Sequence, residues 1–348
     1  MEGGIHTFVL SPRRYGKTSL ILAAQREFVA RGGRAAYADL ILCTNEGEVA
    51  TTVLSAVVHG ILRGPRKTGR SLEGILKRLR FTPTVSMGPD GSVTLGLDQA
   101  AAGRAWRQIL DDAVDLLAEE AAHGPVTLAL DEFQQVAEIG PKGIGGTFKA
   151  VADRLNHTAV VFSGSHLSVM QKLTKDRGAP LHGMGEILNL DVVPLREMEA
   201  YLRRRVRSGG KTMTAADARS LYELAGTIPN DVQWLAYAAF EAAGGDVVGL
   251  AEIEAGMAAI VSRQASGFAE RFESLAPSQQ RILKRLAASP TRHIFARDFL
   301  EAVDLANANA VTKAIAVLDR AELIRVRAGV HEVASPFLRH WLLASRTR

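Results

Sequence analysis

Between Thr7 and Val29 the sequence passes from a short apolar run, TFVL, through SPRRYGKT into an amphipathic stretch that begins at Thr18. A strand that turns tightly into a helix presents consecutive backbone N–H groups at the helix N-terminus, and these form a nest for an anion. Gly16 lets the backbone approach that anion with no Cβ in the way. In this strand–loop–helix setting Lys17 is placed to reach the β- and γ-phosphates of a nucleotide, and the Thr18 hydroxyl to ligate Mg²⁺. The candidate nucleotide-binding set is Ser11, Pro12, Arg13, Arg14, Tyr15, Gly16, Lys17, Thr18 and Ser19. Of Arg13 and Arg14, one is expected on phosphate and the other on a neighbouring acid. Ser11 stands where G-x-x-x-x-G-K-[ST] has its first glycine. A positive φ there would cost a serine on the order of 1 kcal/mol, whereas a loop carrying Pro12 can turn with negative φ, where serine is tolerated.

A second element completes the first. Val126 to Leu130 (VTLAL) is a continuous apolar run of the kind expected for a strand buried on both faces of a parallel sheet, and it ends in Asp131-Glu132. A carboxylate at such a strand end holds Mg²⁺, usually through water, because Mg²⁺ keeps much of its hydration shell. Asp131 is therefore the candidate metal residue with Thr18, and Glu132 the candidate general base beside the phosphate-binding Lys17. Thr158 to Ser163 forms another such strand and ends in Ser163-Gly164-Ser165. One of these two serines is expected to bond the γ-phosphate or the attacking water; the sequence does not say which. No H-x-x-x-H spacing occurs among the nine histidines, and Cys43 is the single cysteine, which excludes an internal disulfide and any multi-cysteine metal site.

The strand and helix signals arrange these motifs into domains. Thr7–Leu10, Arg34–Leu40, Val126–Leu130, Thr158–Ser163 and Ile187–Leu190 read as five strands separated by helical stretches, an α/β three-layer parallel sheet of the P-loop NTPase class over residues 1–194. Asn45 is expected to cap a helix reaching Leu62, and Ala100 to His123 forms another. Arg63 to Arg80 holds seven basic residues and one acid, with Leu72, Ile75, Leu76 and Leu79 at helical spacing, and reads as a solvated amphipathic face. Thr82 to Leu97 alternates about Gly88-Pro89-Asp90-Gly91, a hairpin outside the central sheet. From Leu195 the strand signal stops. Residues 195–275 read as a helical lid, with the Arg203-Arg204-Arg205-Arg207 cluster read as a solvated face or a charge complement to the helix C-terminus, the sharper alternative being an Arg that faces phosphate. Residues 276–348 read as three helices and a hairpin, the pattern of a winged helix.

SPRRYGKTSLI, LALDEFQ, VVFSGSHLSVMQKL, PLHGMGEI, LAGTIPNDVQWLA and ASPFLRHWLL, in that order along most of the chain, resemble the archaeal-type ATPases of the STAND branch of AAA+-related proteins. The resemblance implies an ATP-binding core, a helical lid and a winged helix that cycle between ADP and ATP states. It places Lys17 and Thr18 on phosphate and Mg²⁺, Asp131 and Glu132 on metal and water, and Ser165 in the sensor region. The sequence departs from the family at Ser11, at Met184, where an Arg is usual, and ahead of His6, where the family carries a further box and helix. An extra residue separates Gly226 and Pro229 relative to the family's lid G-x-P.

The expectation is thus a P-loop ATPase that binds ATP or ADP with Mg²⁺ and hydrolyses ATP slowly as a switch. The alternative is a DNA-binding winged-helix regulator with a structural nucleotide. The net charge of +5 belongs to the last domain, where residues 276–348 hold twelve Lys and Arg against six Asp and Glu. That surplus suits DNA phosphates. Intramolecular packing, a protein partner or self-association are the other expectations for this domain. No run reaches the length of a membrane helix, and the expected location is the reducing cytoplasm.

Overall fold

The computed structural model describes residues 5–62, 72–80, 83–89, 93–96, 99–140, 144–155, 158–175, 178–179 and 181–345. The chain divides into two compact units, Met1–Asp191 and Val192–Arg348. Part of the basic stretch (63–71), Asp90 and Gly91 of the expected turn, and Pro180 lie outside the described residues.

The first unit runs β1 (His6–Leu10), α1 (Lys17–Ala30), β2 (Arg34–Asp39), α2 (Glu46–Leu62), α3 (Leu72–Leu76), β3 (Thr84–Met87), β4 (Val93–Gly96), α4 (Gln99–Ala121) and β5 (Val126–Asp131). It continues through α5 (Gln134–Ile139), α6 (Ile144–Arg154), β6 (Thr158–Gly164), α7 (Leu167–Thr174) and β7 (Gly185–Asn189). Five strands form one parallel sheet in the order β2-β5-β6-β1-β7. The two runs read as continuous apolar segments, β5 and β6, are buried at every residue and lie inside the sheet. Alternation along each strand splits the core between the two faces. Phe8, Leu10, Leu128, Leu130, Val160 and Phe162 pack with α2, α4 and α6, where Phe8 stacks on Phe162 at 4.9 Å. Val9, Ala129 and Val161 face Ile21 of α1, with Tyr37 and Leu190 at the margin. A three-layer sandwich results.

The insertion forms its own antiparallel pair, β3 with β4, outside the central sheet. Asn45 caps α2 by accepting from the Glu48 N–H at 3.0 Å. The described part of the basic stretch forms a solvated face: Arg78 pairs with Glu119, and Arg80 with Asp112 and Asp115, all on α4. Leu190, expected at the end of the fifth strand, lies just past β7, its N–H bonded to Leu10 O at 2.9 Å.

The second unit contains α8 (Leu195–Ser208), α9 (Ala215–Leu224), α10 (Pro229–Ala242), α11 (Leu250–Glu273), α12 (Pro277–Ala288), α13 (Arg297–Ala302), α14 (Ala308–Arg320), β8 (Ile324–Arg327), β9 (Val330–Val333) and α15 (Pro336–Ala344). Prolines open α10, α12 and α15, where the missing N–H costs no bond. Arg203, Arg204, Arg205 and Arg207 are exposed while Met198, Leu202 and Val206 of the same helix are buried, so the cluster is a solvated face. In the C-terminal part, β8 and β9 pair about Ala328 and Gly329, both at positive φ, and Thr291 forms a single antiparallel bridge to His331. The closing aromatic segment folds as α15 and docks on the preceding helices: Phe337 meets Trp234 at 5.0 Å, and Trp341 meets Phe272 at 5.8 Å. One continuous core runs from Met198 to Leu342, so no break in packing separates helices α8–α11 from the winged helix.

Candidate nucleotide and metal site

Strand register brings the motif residues to one edge. Parallel pairing sets Asp39 beside Asp131, and Leu10 beside Gly164, so the carboxyl ends of β2, β5, β6 and β1 finish together. The loop from Ser11 to Gly16 leaves that edge and enters α1. Its left-handed positions are Arg14 (φ 71°) and Gly16 (φ 91°). Ser11 is not among the described residues at positive φ, so serine is tolerated at the first glycine position of the motif; it is buried and its hydroxyl donates to Pro12 O at 3.1 Å. Arg13 and Arg14 are exposed and Tyr15 is half-buried.

Lys17 is buried to 4% exposure, and its Nζ donates to the carbonyls of Ser11 at 2.9 Å and Pro12 at 3.1 Å. Burial pulls its pKa down, the charges of Glu132 and Asp131 push it back up, and Arg13 lowers it further. Thr18, exposed on the first turn of α1, donates from Oγ1 to Asp131 Oδ2 at 2.6 Å. That bond joins the two motifs across 113 residues of sequence.

Asp131 itself is 1% exposed and accepts four hydrogen bonds. Oδ2 accepts from Thr18 and from the Tyr37 hydroxyl at 2.8 Å. Oδ1 accepts from Ser163 Oγ at 2.5 Å and from the Glu132 N–H at 3.0 Å. Burial alone would raise the carboxyl pKa; the bonds from Ser163, Thr18, Tyr37 and the Glu132 N–H reverse that and hold it below the ordinary value.

Glu132 turns away from Asp131 because its backbone is left-handed (φ 53°), with the next N–H, of Phe133, bonded to Ser163 O at 2.7 Å. Its Oε2 accepts from Ser165 Oγ at 2.7 Å and from Gln134 Nε2. Gln134, 1% exposed, also accepts the Ser165 N–H on Oε1 at 3.2 Å. The two serines at the end of β6 thus divide the work: Ser163 holds Asp131, and Ser165 holds Glu132. Sequence reasoning missed Tyr37 and Gln134. Met184 packs against the apolar core of the first unit.

The donor set fits Mg²⁺. Thr18 and Asp131 offer hard oxygens side by side, and among the described residues no group of three or more His, Cys, Asp or Glu is arranged to hold a metal ion. That suits an ion that takes few protein ligands and completes its shell with water and phosphate.

Residues 266–344 match a family described as "Probable winged helix domain". Over 97% of this chain and 90% of its own length, the Walker-type ATPase of Pyrococcus abyssi is similar in structure, with a TM-score of 0.63 and 16% identity. The ORC2 protein of Aeropyrum pernix, solved as ADPNP–ADP complexes, has a TM-score of 0.53 and 13% identity, covering 99% of this chain and 89% of that one. The ORC1 protein of Aeropyrum pernix, solved in complex with DNA, has a TM-score of 0.51 and 13% identity, covering 99% and 88%. No curated protein matches the chain. At these identities the similarity establishes the fold: a P-loop ATPase sheet followed by a C-terminal winged helix.

Proposed function

We propose that this chain is a STAND-type switch that binds ATP with Mg²⁺, hydrolyses it slowly, and couples its nucleotide state to the helical lid and winged helix. The observation that carries this reading is the 2.6 Å bond between Thr18 and Asp131. A strand–loop–helix GKT and a buried-strand DE, remote in sequence, meet at one edge of the sheet, which supports a nucleotide site there.

Each residue then has a part. The N–H groups of the Ser11–Thr18 loop and the start of α1 cradle phosphates, and Lys17 neutralises their charge. Thr18 and Asp131 hold Mg²⁺, which when bound shields the phosphate oxygens. Glu132 orients the attacking water and accepts its proton, with Ser165 and Gln134 fixing its carboxylate. The domains of this reading are 1–194 for the ATPase core, 195–275 for the lid and 276–348 for the winged helix, in a cytoplasmic protein that signals to a protein partner or to its own copies.

The DNA-binding alternative draws on the basic surplus of the last domain and on the exposed Asn309, Lys313 and Arg320 of α14. Its usual second contact, the wing, is committed elsewhere: Arg325 bonds Glu332 and Gly226 O, and Arg327 bonds Thr227. Binding to duplex at low salt with a steep log–log salt slope would favour this alternative over the switch.

Phosphate release from ATP with Mg²⁺ tests the proposal, with nucleotide binding measured in parallel. Lys17→Ala is expected to abolish both. Glu132→Gln is expected to keep ATP binding and to lose about 10²–10⁴-fold in turnover. Wild-type protein that neither binds nor hydrolyses ATP would overturn the reading.

A further inference from the structure

A carboxylate has about four acceptor sites, two on each oxygen, and on Asp131 all four are taken. Ser163 Oγ and the Glu132 N–H fill Oδ1, while Thr18 Oγ1 and the Tyr37 hydroxyl fill Oδ2. For Asp131 to hold a cation through a bound water, it must accept a hydrogen bond from that water, so one of its present donors has to yield.

Three of the four are poorly placed to do so. The Glu132 N–H is covalently next to Asp131 and fixed by the left-handed turn at Glu132. Ser163 has no exposure and sits on β6, inside the sheet. Thr18 uses its oxygen toward a metal and keeps its proton for Asp131. Tyr37 is different. It reaches Asp131 from β2, the edge strand of the sheet, and its half-buried ring lies at the thin margin of the core facing α1.

Resting on the nucleotide reading above, we infer that Tyr37 occupies the acceptor site on Asp131 that a metal-bound water needs, and so sets the Mg²⁺ concentration at which the site loads. Tyr37 is a positioning residue that acts through Asp131. Its hydroxyl keeps the carboxylate satisfied before loading and must leave Oδ2 for loading to occur.

The test is equilibrium binding of a fluorescent ATP analogue to the full chain, in EDTA and across a Mg²⁺ titration, for the wild type and Tyr37→Phe. Phenylalanine keeps the ring and removes only the donor. The half-saturating Mg²⁺ concentration is expected to fall on the order of fivefold, as the loss of one competing hydrogen bond gives, with affinity in EDTA unchanged. Tyr37→Leu, which also lacks the donor, must shift the Mg²⁺ requirement the same way. An unchanged or higher requirement in both variants overturns the inference while leaving the nucleotide reading intact. Failure of the wild type to bind the analogue in either condition removes that reading, and the inference with it.

Discussion

Asp131 is a buried carboxylate kept ionised by hydrogen bonds, and this gives it a measurable part in stability beside the metal-holding part proposed above. Its native pKa lies below the ordinary carboxylate value of about 3.9. The ionised form is thus favoured in the fold. The stability it contributes is complete above about pH 4 and is lost as pH falls through the lower native value. Asp131→Asn turns an amide N–H toward donors that now have no acceptor, and should cost about 1–3 kcal/mol in urea unfolding at pH 7. The difference from wild type should shrink as the pH drops below about 4. Around the neighbouring acid, Ser165→Ala removes one of two donors to Glu132 and should lower turnover about tenfold at unchanged nucleotide affinity. The placement of Lys17, Thr18, Asp131 and Glu132 about the strand ends was legible in the sequence because each stands at a fixed offset from an apolar run. Tyr37 was not, because its role arises from pairing between β2 and β5 across 94 residues. The one signal available was a bulky polar ring in RAAYAD, an otherwise small-residue strand. The choice between Ser163 and Ser165 was likewise not legible, since Ser163 lies on β6 and Ser165 just past its end, and their partners Asp131 and Glu132 come from the distant end of β5.

At the scale of elements, the position of β2 is set by how closely α2 lies on it. A Cβ on Gly60 would stand 2.5 Å from the carbonyl oxygen of Ala35, a backbone atom that cannot swing aside. Gly60→Ala must push helix and strand apart, and an overpacking cost of about 1–3 kcal/mol is expected, read as a lowered unfolding midpoint. Tyr37 lies two residues beyond Ala35 on the same strand. The same variant should therefore disturb the Mg²⁺ dependence of nucleotide binding, although Gly60 touches no ligand residue. The strands of the sheet could be read in advance because a buried parallel strand is a continuous apolar run, and VTLAL and TAVVFS are both of that kind. The short helices α5 and α7 span only 6 and 8 residues, too few for a helical period to declare itself. Helix α15 was legible only as an aromatic-rich segment. Its aromatic residues find their partners on α10 and α11, far upstream in the chain.

Across the whole molecule, the chain divides into two compact units at Asp191–Val192. Composition suggested a further boundary at Ala276, because helix-only sequence gives way there to the helix and hairpin pattern of a winged helix. The physical joint is tighter than that. Trp341 packs between Phe268 and Phe272 of α11, Phe337 meets Trp234 of α10, and the wing fastens to the turn before α10 through Arg325 on Gly226 and Arg327 on Thr227. The winged-helix match itself begins at residue 266, inside α11. Residues 192–348 expressed alone should therefore fold and unfold in one cooperative transition, by circular dichroism and urea titration. Residues 276–348 alone would expose Phe337 and Trp341 and leave the wing arginines without their anchors, so they should lack a cooperative transition. If instead the shorter fragment folds with a midpoint near that of the longer one, the wing is an independent body and motion inside the second unit becomes the means of switching. A single transition for 192–348, lost on cutting at 276, makes those residues one cooperative unit, and the proposed switching would then not rest on motion of the winged helix against α8–α11.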